Sequence, residues 1–293
     1  LMPTVRIGDR LVGDGQPCLV VAELASNHAG SLDHALRLVR AAHAAGADCV
    51  KLQRRSESMV CIPPSQRDAP RELPGGQIVP YADYRRRLEL GRAEYDAIDA
   101  ECRGLGLPWT ASVWDEEAVG FVAAYRPPFL KVPSAALTDA AVLRECHRTG
   151  LPVVLSTGMS TLEQIDAAVR RLDPTRLVLL HCVSAYPAEA PELNLYAMRT
   201  LAGRYGVPVG FSDHSRGVWA PLCAAVLGAA MVEKHFTLDR AGWPPSDQAA
   251  SVEPEGLARI VRYVRRWEQA RGDGVKRVLD SERPVIARLR RVP

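Results

Sequence analysis

The sequence contains no run of about 18 apolar residues, so it offers no candidate for a membrane-spanning helix. Its start, Leu1-Met2-Pro3-Thr4, lacks a basic stretch followed by an apolar one, so no signal peptide is expected. The Leu ahead of Met2 reads as a cloning remnant or a trimmed start. A large charge excess is missing too: 37 basic residues stand against 34 acidic ones, a net charge of +3. That balance argues against nucleic acid as a partner. The stretch from Arg283 to Arg291 is locally basic, which suits a solvated helix end or a linker. No Cys-x-x-Cys pair occurs, and the seven cysteines (18, 49, 61, 102, 146, 182 and 223) are odd in number and scattered. Neither a disulfide framework nor a zinc ribbon follows, and a reducing cytoplasm is the expected location. There is no repeat at solenoid spacing. No glycine-rich turn follows the first apolar run, where Glu23-Leu24-Ala25-Ser26-Asn27-His28-Ala29-Gly30 stands instead. That absence argues against a doubly wound dinucleotide-binding sheet.

What is present is an alternation. The chain has 293 residues, 47% of them hydrophobic and 24% charged, which is an ordinary globular composition. Eight short apolar runs read as strands: Cys18–Ala22, Cys49–Leu52, Trp109–Ala111, Phe129–Val132, Val153–Leu155, Leu177–His181, Val207–Phe211 and Met231–His235. Between most of them lie amphipathic stretches. Leu32–Ala44 places Leu32, Ala35, Leu36, Val39 and Ala42 on one face. Thr161–Leu172 opens with Thr161 and has Gln164 three residues on, a capping-box pattern. Leu257–Trp267 repeats its apolar residues at helical period. Eight strands alternating with helices predict an α/β fold, an eight-stranded (β/α) TIM barrel. Glycines 8, 13 and 15 mark a hairpin ahead of it. The division expected is a hairpin cap over 1–17, a catalytic barrel over 18–280 and a linker-like tail over 281–293. Cys61 to Tyr84, with five prolines and Gly75-Gly76, is expected as a long irregular loop after the second strand. It reads either as a surface excursion or as an active-site lid.

In a parallel barrel the reacting groups sit where the strands end. Those positions hold Glu23, then Asn27 and His28; Lys51 and Gln53; Thr110 and Ser112; Lys131 and Ser134; Ser156 and Thr157; His181, Ser184 and Tyr186; Ser212, Asp213 and His214; and Glu233, Lys234 and His235, with Asp247 in the next loop. Each alone has a bland explanation. A strand lysine can snorkel, a strand-end serine can cap a helix, and a lone histidine is more often a hydrogen-bonded core residue. Together they are harder to dismiss. Lys51 and Lys131 lie inside apolar runs, and a buried ammonium needs an anion or its pKa falls. Two such lysines among hydroxyls suit a phosphate or a carboxylate. His214 and His235, with Glu23 or Asp247, supply ligand types suited to a divalent metal. The pattern points to a metal-assisted enzyme acting on an anionic substrate.

The strings themselves are familiar. Ala22-Glu23-x4-His28-x-Gly30, Gly46-Ala47-Asp48-x2-Lys51-x-Gln53, Thr110-Ala111-Ser112-x2-Asp115, Lys131-Val132-Pro133-Ser134, Ser156-Thr157-Gly158-Met159-Ser160, His181-Cys182-x-Ser184-x-Tyr186-Pro187, Gly210-Phe211-Ser212-Asp213-His214 and Glu233-Lys234-His235-Phe236-Thr237-Leu238-Asp239 occur in that order. The sequence resembles the sialic acid synthase (N-acetylneuraminate synthase) family from about Val20 to about Glu282. Members condense phosphoenolpyruvate with an N-acetylated amino sugar. The resemblance implies a bound manganese or magnesium ion held by His214 and His235. It implies that Lys51, Thr110, Lys131, Ser134, Ser156, Ser184 and Ser212 hold phosphoenolpyruvate. Glu23 would lie beside the enol carbon, Gln53 and Tyr186 would face the sugar, and Asp247 would sit near the metal-bound water. A homodimer is the family's usual state.

The sequence also departs from the family. Members usually continue into a small antifreeze-like domain that gives an arginine to the partner subunit's acceptor site, whereas this sequence stops at Pro293. Either it is a piece of a longer chain or the protein lacks that domain. Ala136 stands where an acidic residue usually faces the sugar hydroxyls. A usual Asp-His pair reads Asp247-Gln248, and Ala25 replaces a usual glycine. The main departures fall on the acceptor side. The expectation is therefore retained phosphoenolpyruvate chemistry with a sugar-derived aldehyde other than N-acetylmannosamine. Two rival readings are a catalytically silent binding barrel and a synthase acting on a sugar phosphate, for which Arg54 and Arg55 could supply the extra positive charge.

Overall fold

The computed structural model describes residues 3–243 and 247–292. Twelve strands appear in chain order among these residues. β1 (Thr4–Ile7) and β2 (Arg10–Gly13) form an antiparallel hairpin. β3 (Leu19–Ala25) and β4 (Cys49–Arg54) follow. β5 (Pro70–Glu72) and β6 (Ile78–Pro80) make a second small hairpin. Then come β7 (Trp109–Val113), β8 (Leu130–Val132), β9 (Val153–Ser156), β10 (Leu177–Cys182), β11 (Val209–Asp213) and β12 (Met231–His235). Strands β3, β4 and β7 to β12 close into one parallel barrel, with β12 pairing back onto β3. This is the expected (β/α) barrel. The strand expected over Val207–Phe211 begins and ends later, as Val209–Asp213, after Pro208.

The helices form because their apolar residues recur on one face and their ends are capped. In Leu32–Ala44 the Ser31 side chain accepts from the His34 amide, and Ala35, Leu38, Val39 and Ala42 are buried. Leu38 takes the deep position while Leu36 is only partly buried. In Leu162–Val169 both bonds of the capping box between Thr161 and Gln164 are made. Each fully buried Leu or Val contributes about 1.5–3 kcal/mol. One large core, including Val20, Leu52 and Leu179, fills the space between strands and helices. A second lies inside the barrel, where Leu19, Val21, Phe129, Val154, Leu180 and Met231 pack with Val5, Ile7 and Val12 of the β1–β2 hairpin. The hairpin therefore stoppers the N-terminal end of the barrel.

Two expectations need correction. The excursion from Cys61 to Tyr84 is not irregular throughout: it carries a short helix at Pro64–Arg67, the β5–β6 hairpin and the start of a helix over Tyr81–Arg86. Pro63 and Pro64 open the helix, Pro70 and Pro80 pair at the open end of the hairpin, and Pro74 lies in its turn, all places where a missing N–H is tolerated. Gly75 and Gly76, at φ of 91° and 85°, make the turn between the two strands. The tail expected to be linker-like carries a helix over Arg283–Leu289. Among the described residues no helix is long and apolar enough to cross a membrane.

Candidate active site

Side chains alternate along a strand, so residues two apart point the same way. Along β3 the inward positions run from Val21 to Glu23, along β4 from Cys49 to Lys51, and along β8 from Phe129 to Lys131. On β9, β10 and β12 they run from Val154 to Ser156, Leu180 to Cys182 and Met231 to Glu233. One pleat above an apolar floor the interior thus turns polar. There it opens into a cavity of about 200 Å³ at the C-terminal end of the strands. Eighteen residues line it, including Glu23, Lys51, Gln53, Lys131, Ser134, Ser156, Ser184, Tyr186, Ser212, His214 and His235.

Two lysines and two carboxylates share the cavity's base. Lys51 Nζ lies 2.5 Å from Glu23 Oε2 and 3.5 Å from Glu233 Oε1, and it donates to Ser112 Oγ at 2.7 Å. Lys131 Nζ lies 3.7 Å from Glu233 Oε1. All four side chains are 4% exposed or less, so their charges interact through little water. Burial acts against the charge of Lys51, but Glu23 and Glu233 outweigh it and hold the pKa up. Burial wins at Lys131, whose pKa is pulled down despite Glu233. Burial would also raise Glu233, yet Lys131, Lys51 and the Ser212 hydroxyl bring it down to about 2. Glu23 goes the other way, pushed up to about 7 by burial, against the pull of Lys51. Two carboxyls of one site are thereby pushed in opposite directions, Glu233 toward the ionised form and Glu23 toward the protonated one.

The hydroxyl side of the cavity is built around Gly158. Its amide donates to Ser134 Oγ at 3.0 Å. A Cβ on Gly158 would run into Ser184 Oγ, Cys182 Sγ and Ser134 Oγ, so a larger residue there would push these three groups apart. Ser156 Oγ, Glu233 Oε2, His235 Nδ1 and Trp114 Nε1 all belong to cavity-lining residues, and all four atoms are buried without a hydrogen-bond partner. Buried polar atoms are nearly always satisfied, so this cluster marks where a polar ligand belongs.

His214 and His235 stand side by side, ring centroids 5.3 Å apart, with the Tyr186 ring 4.1 Å from His214. His214 Nδ1 lies 2.6 Å from the Val183 carbonyl, which can only accept, so the proton is on Nδ1 and the Nε2 lone pair is free. Burial, with His235 beside it, lowers His214 to about 4; burial and Lys51 lower His235 to about 3. Both rings are neutral at physiological pH, the form that binds metal. Among the described residues no group of three or more His, Cys, Asp or Glu gathers at metal-holding spacing.

Other sequence-expected residues do not line the cavity. Thr110 points inward but one pleat too low; its hydroxyl donates to the Phe129 carbonyl at 2.5 Å, and it does not line the cavity. Asp247 is absent from the cavity wall as well, though burial raises its pKa, with Arg85 and His214 among the charges opposing that. Ala136 is buried in the core outside the barrel, and the residue on the cavity wall is its neighbour Ala135. Arg54 donates to the Leu90 carbonyl and lies over Phe121, while Arg55 pairs with Glu89 at 3.1 Å, so both are engaged within the protein. Glu233 and Ser112 carry more of the site than the sequence suggested. Their signal was parity: each lies two residues beyond a buried inward position of its strand.

A model described as the NeuB family matches residues 38–276. The N,N'-diacetyllegionaminic acid synthase of Legionella pneumophila is 34% identical over 287 residues, covering 95% of this chain and 80% of that protein. The human N-acetylneuraminate-9-phosphate synthase is 35% identical over 277 residues, covering 93% of this chain and 76% of that one. The crystal structure of the N-acetylneuraminic acid synthetase from Leptospira borgpetersenii, in complex with citrate, superposes with a TM-score of 0.84 at 28% identity and covers 99% of both chains.

Proposed function

This chain belongs to the NeuB family, and we propose that it condenses phosphoenolpyruvate with a sugar-derived aldehyde, giving a 2-keto-3-deoxy sugar acid and phosphate. The observation that carries this is the base of the cavity, where Lys51 and Lys131, both buried, face unpartnered or converging hydroxyls. A donor that carries both a phosphate and a carboxylate fits that chemistry. Lys51 and Lys131 bind its charged groups, while Ser134, Ser156, Ser184 and Ser212 donate to the remaining oxygens. Their role is to hold the donor in line and stabilise charge.

His214 and His235 are the residues that would hold a divalent ion, manganese or magnesium. The free Nε2 of His214 and the unpartnered Nδ1 of His235 fit that role. Bound there, the ion would polarise the aldehyde as a Lewis acid. The π electrons between carbons two and three of the donor form the new bond to the aldehyde carbon, leaving carbon two electron-poor, and the aldehyde oxygen becomes a hydroxyl with the proton that Glu23 takes from the attacking water. Water adds at carbon two and gives a proton to Glu23, whose raised pKa suits a base near neutrality. The bond from carbon two to the phosphate oxygen then breaks, phosphate leaves with the electron pair and takes the proton of the carbon-two hydroxyl, and a keto group remains.

The acceptor is a sugar-derived aldehyde other than N-acetylmannosamine. Pro133, Ala135 and Met159 line the wall, and Ala136 behind it is buried, so no carboxylate projects there to accept from sugar hydroxyls. Phosphate release from phosphoenolpyruvate across a panel of aldehydes, with manganese present, tests both parts. Release that requires an aldehyde, and is poor with N-acetylmannosamine, is the expected result. No release with any aldehyde overturns the reaction, and efficient turnover of N-acetylmannosamine overturns the acceptor.

A further inference from the structure

Behind the cavity a chain of polar side chains runs away from Glu23. Gln53 Nε2 donates to Glu23 Oε1 at 3.1 Å. Arg55 Nη2 donates to Gln53 Oε1 at 2.9 Å, and Arg55 Nη1 donates to Glu89 Oε1 at 3.1 Å. The Arg55 backbone amide holds the other oxygen of Glu89 at 3.1 Å. The guanidinium also stacks 3.9 Å from the ring centroid of Trp114, a cavity-lining residue, and is itself 2% exposed. Arg55 lines no part of the cavity.

We propose that Arg55 is a positioning residue that fixes the side-chain amide of Gln53, and through it the carboxyl of Glu23. An amide group can turn over with little change in shape, exchanging oxygen for nitrogen. Arginine can only donate, so it accepts one of the two orientations, with the oxygen outward against Arg55 and the NH2 inward. The Gln53 nitrogen then has one hydrogen for Glu23 and one for the acceptor. Gln53 Nε2 and Trp114 Nε1 are both N–H donors on this side of the cavity, so they favour an acceptor that presents an oxygen to them. Glu89 lies three residues past the helix Tyr81–Arg86 and its amide donates to the Arg86 carbonyl, so the same contact ties the end of that helix to the position of Glu23. Arginine suits this task better than lysine, because its planar fork reaches Gln53 and Glu89 at once.

The inference rests on the proposed condensation only for its kinetic readout. In Arg55→Met, kcat should fall or the acceptor KM should rise by tenfold or more, while the phosphoenolpyruvate Kd by calorimetry stays within twofold. Arg55→Lys should recover part of the loss. Gln53→Ala combined with Arg55→Met should be no worse than Gln53→Ala alone, because both act through one amide. Additive losses, or wild-type kcat and KM in Arg55→Met, overturn the proposal. If Arg55→Met does not fold with Glu89 left unpaired, Arg55→Met/Glu89→Leu removes both charges and carries the same expectations. If the wild-type chain turns over no aldehyde, the proposed reaction fails separately. Crystal structures of wild type and Arg55→Met then decide: retained Gln53–Glu23 geometry in the variant overturns the inference, and a turned or displaced Gln53 supports it.

Discussion

Two floors of one barrel, a single pleat apart, are built on opposite terms. The lower floor, Val21, Phe129, Val154, Leu180 and Met231, is closed by the hairpin side chains Val5, Ile7 and Val12 and contains no charge. The upper floor, reached two residues further along the same strands, holds Glu23, Lys131, Ser156, Cys182 and Glu233. Backbone and burial are alike in both; only the side chains differ. The lower floor gains stability from packing. The upper one keeps buried charges whose desolvation is only partly offset by their partners. Such a pair of layers separates what makes the barrel fold from what makes it react.

That separation can be tested by crossing it. Lys131→Ala leaves Glu233 without its nearest partner but Lys51, and leaves a bound dianion short of a cation. The cost is roughly 3–5 kcal/mol, so calorimetry should show phosphoenolpyruvate binding weakened a hundredfold or more. An unchanged Kd would move Lys131 into the structural class. Phe129→Ala, directly beneath it, should instead lower unfolding free energy by about 3–5 kcal/mol. The phosphoenolpyruvate affinity of the remaining folded protein should stay near wild type. Denaturant melts paired with calorimetry would show whether the floors are as independent as this.

A third measurement concerns the rim above the upper floor. His28 is buried, accepts from the Gly30 amide, and is lowered from 6.5 to about 4 by burial and by His34. Its unfolded form binds a proton that the native form refuses between those values. The stability His28 contributes is therefore whole above pH 6.5 and lost as pH falls toward 4. Against His28→Gln, wild type should lose on the order of 3 kcal/mol across that window. Parallel pH–stability curves for the two proteins would refute this.

The smallest effect is expected at Ala25, the last residue of β3, which sits at φ 49° where the barrel register shifts after Glu23. A left-handed conformation costs an alanine roughly 1 kcal/mol more than a glycine. Ala25→Gly should raise stability by a similar amount in thermal melts. No gain, or a loss, would mean that the methyl's packing outweighs the strain.

Much of this was legible in the sequence. The barrel followed from eight apolar runs at regular spacing, and Glu23, Lys51, Lys131, His214 and His235 stood out as polar residues at the ends of those runs. What did not follow was depth. Thr110 and Ser112 share a face of β7, and only the register shows that Ser112 reaches the cavity while Thr110 lies below it. Nor could spacing reveal that Ala135, not Ala136, faces inward, because a 3-10 turn over Ser134–Ala136 replaces the alternation of a strand. The β5–β6 hairpin was hidden by its own prolines, which mark strand ends there rather than disorder. Arg55 looked like spare positive charge; its partner Glu89 lies more than thirty residues away, beyond any local pattern.

The stopper at the foot of the barrel has a consequence for the order of events. A cavity closed below has one door, and whatever lies deepest must enter first and leave last. The charged groups that suit phosphoenolpyruvate are at the base, and Gln53 and Tyr186 are nearer the mouth. On the proposed reaction a bound aldehyde would block the donor's way in, which would make a queue: donor, then aldehyde, with the sugar acid clearing the doorway before phosphate follows it out.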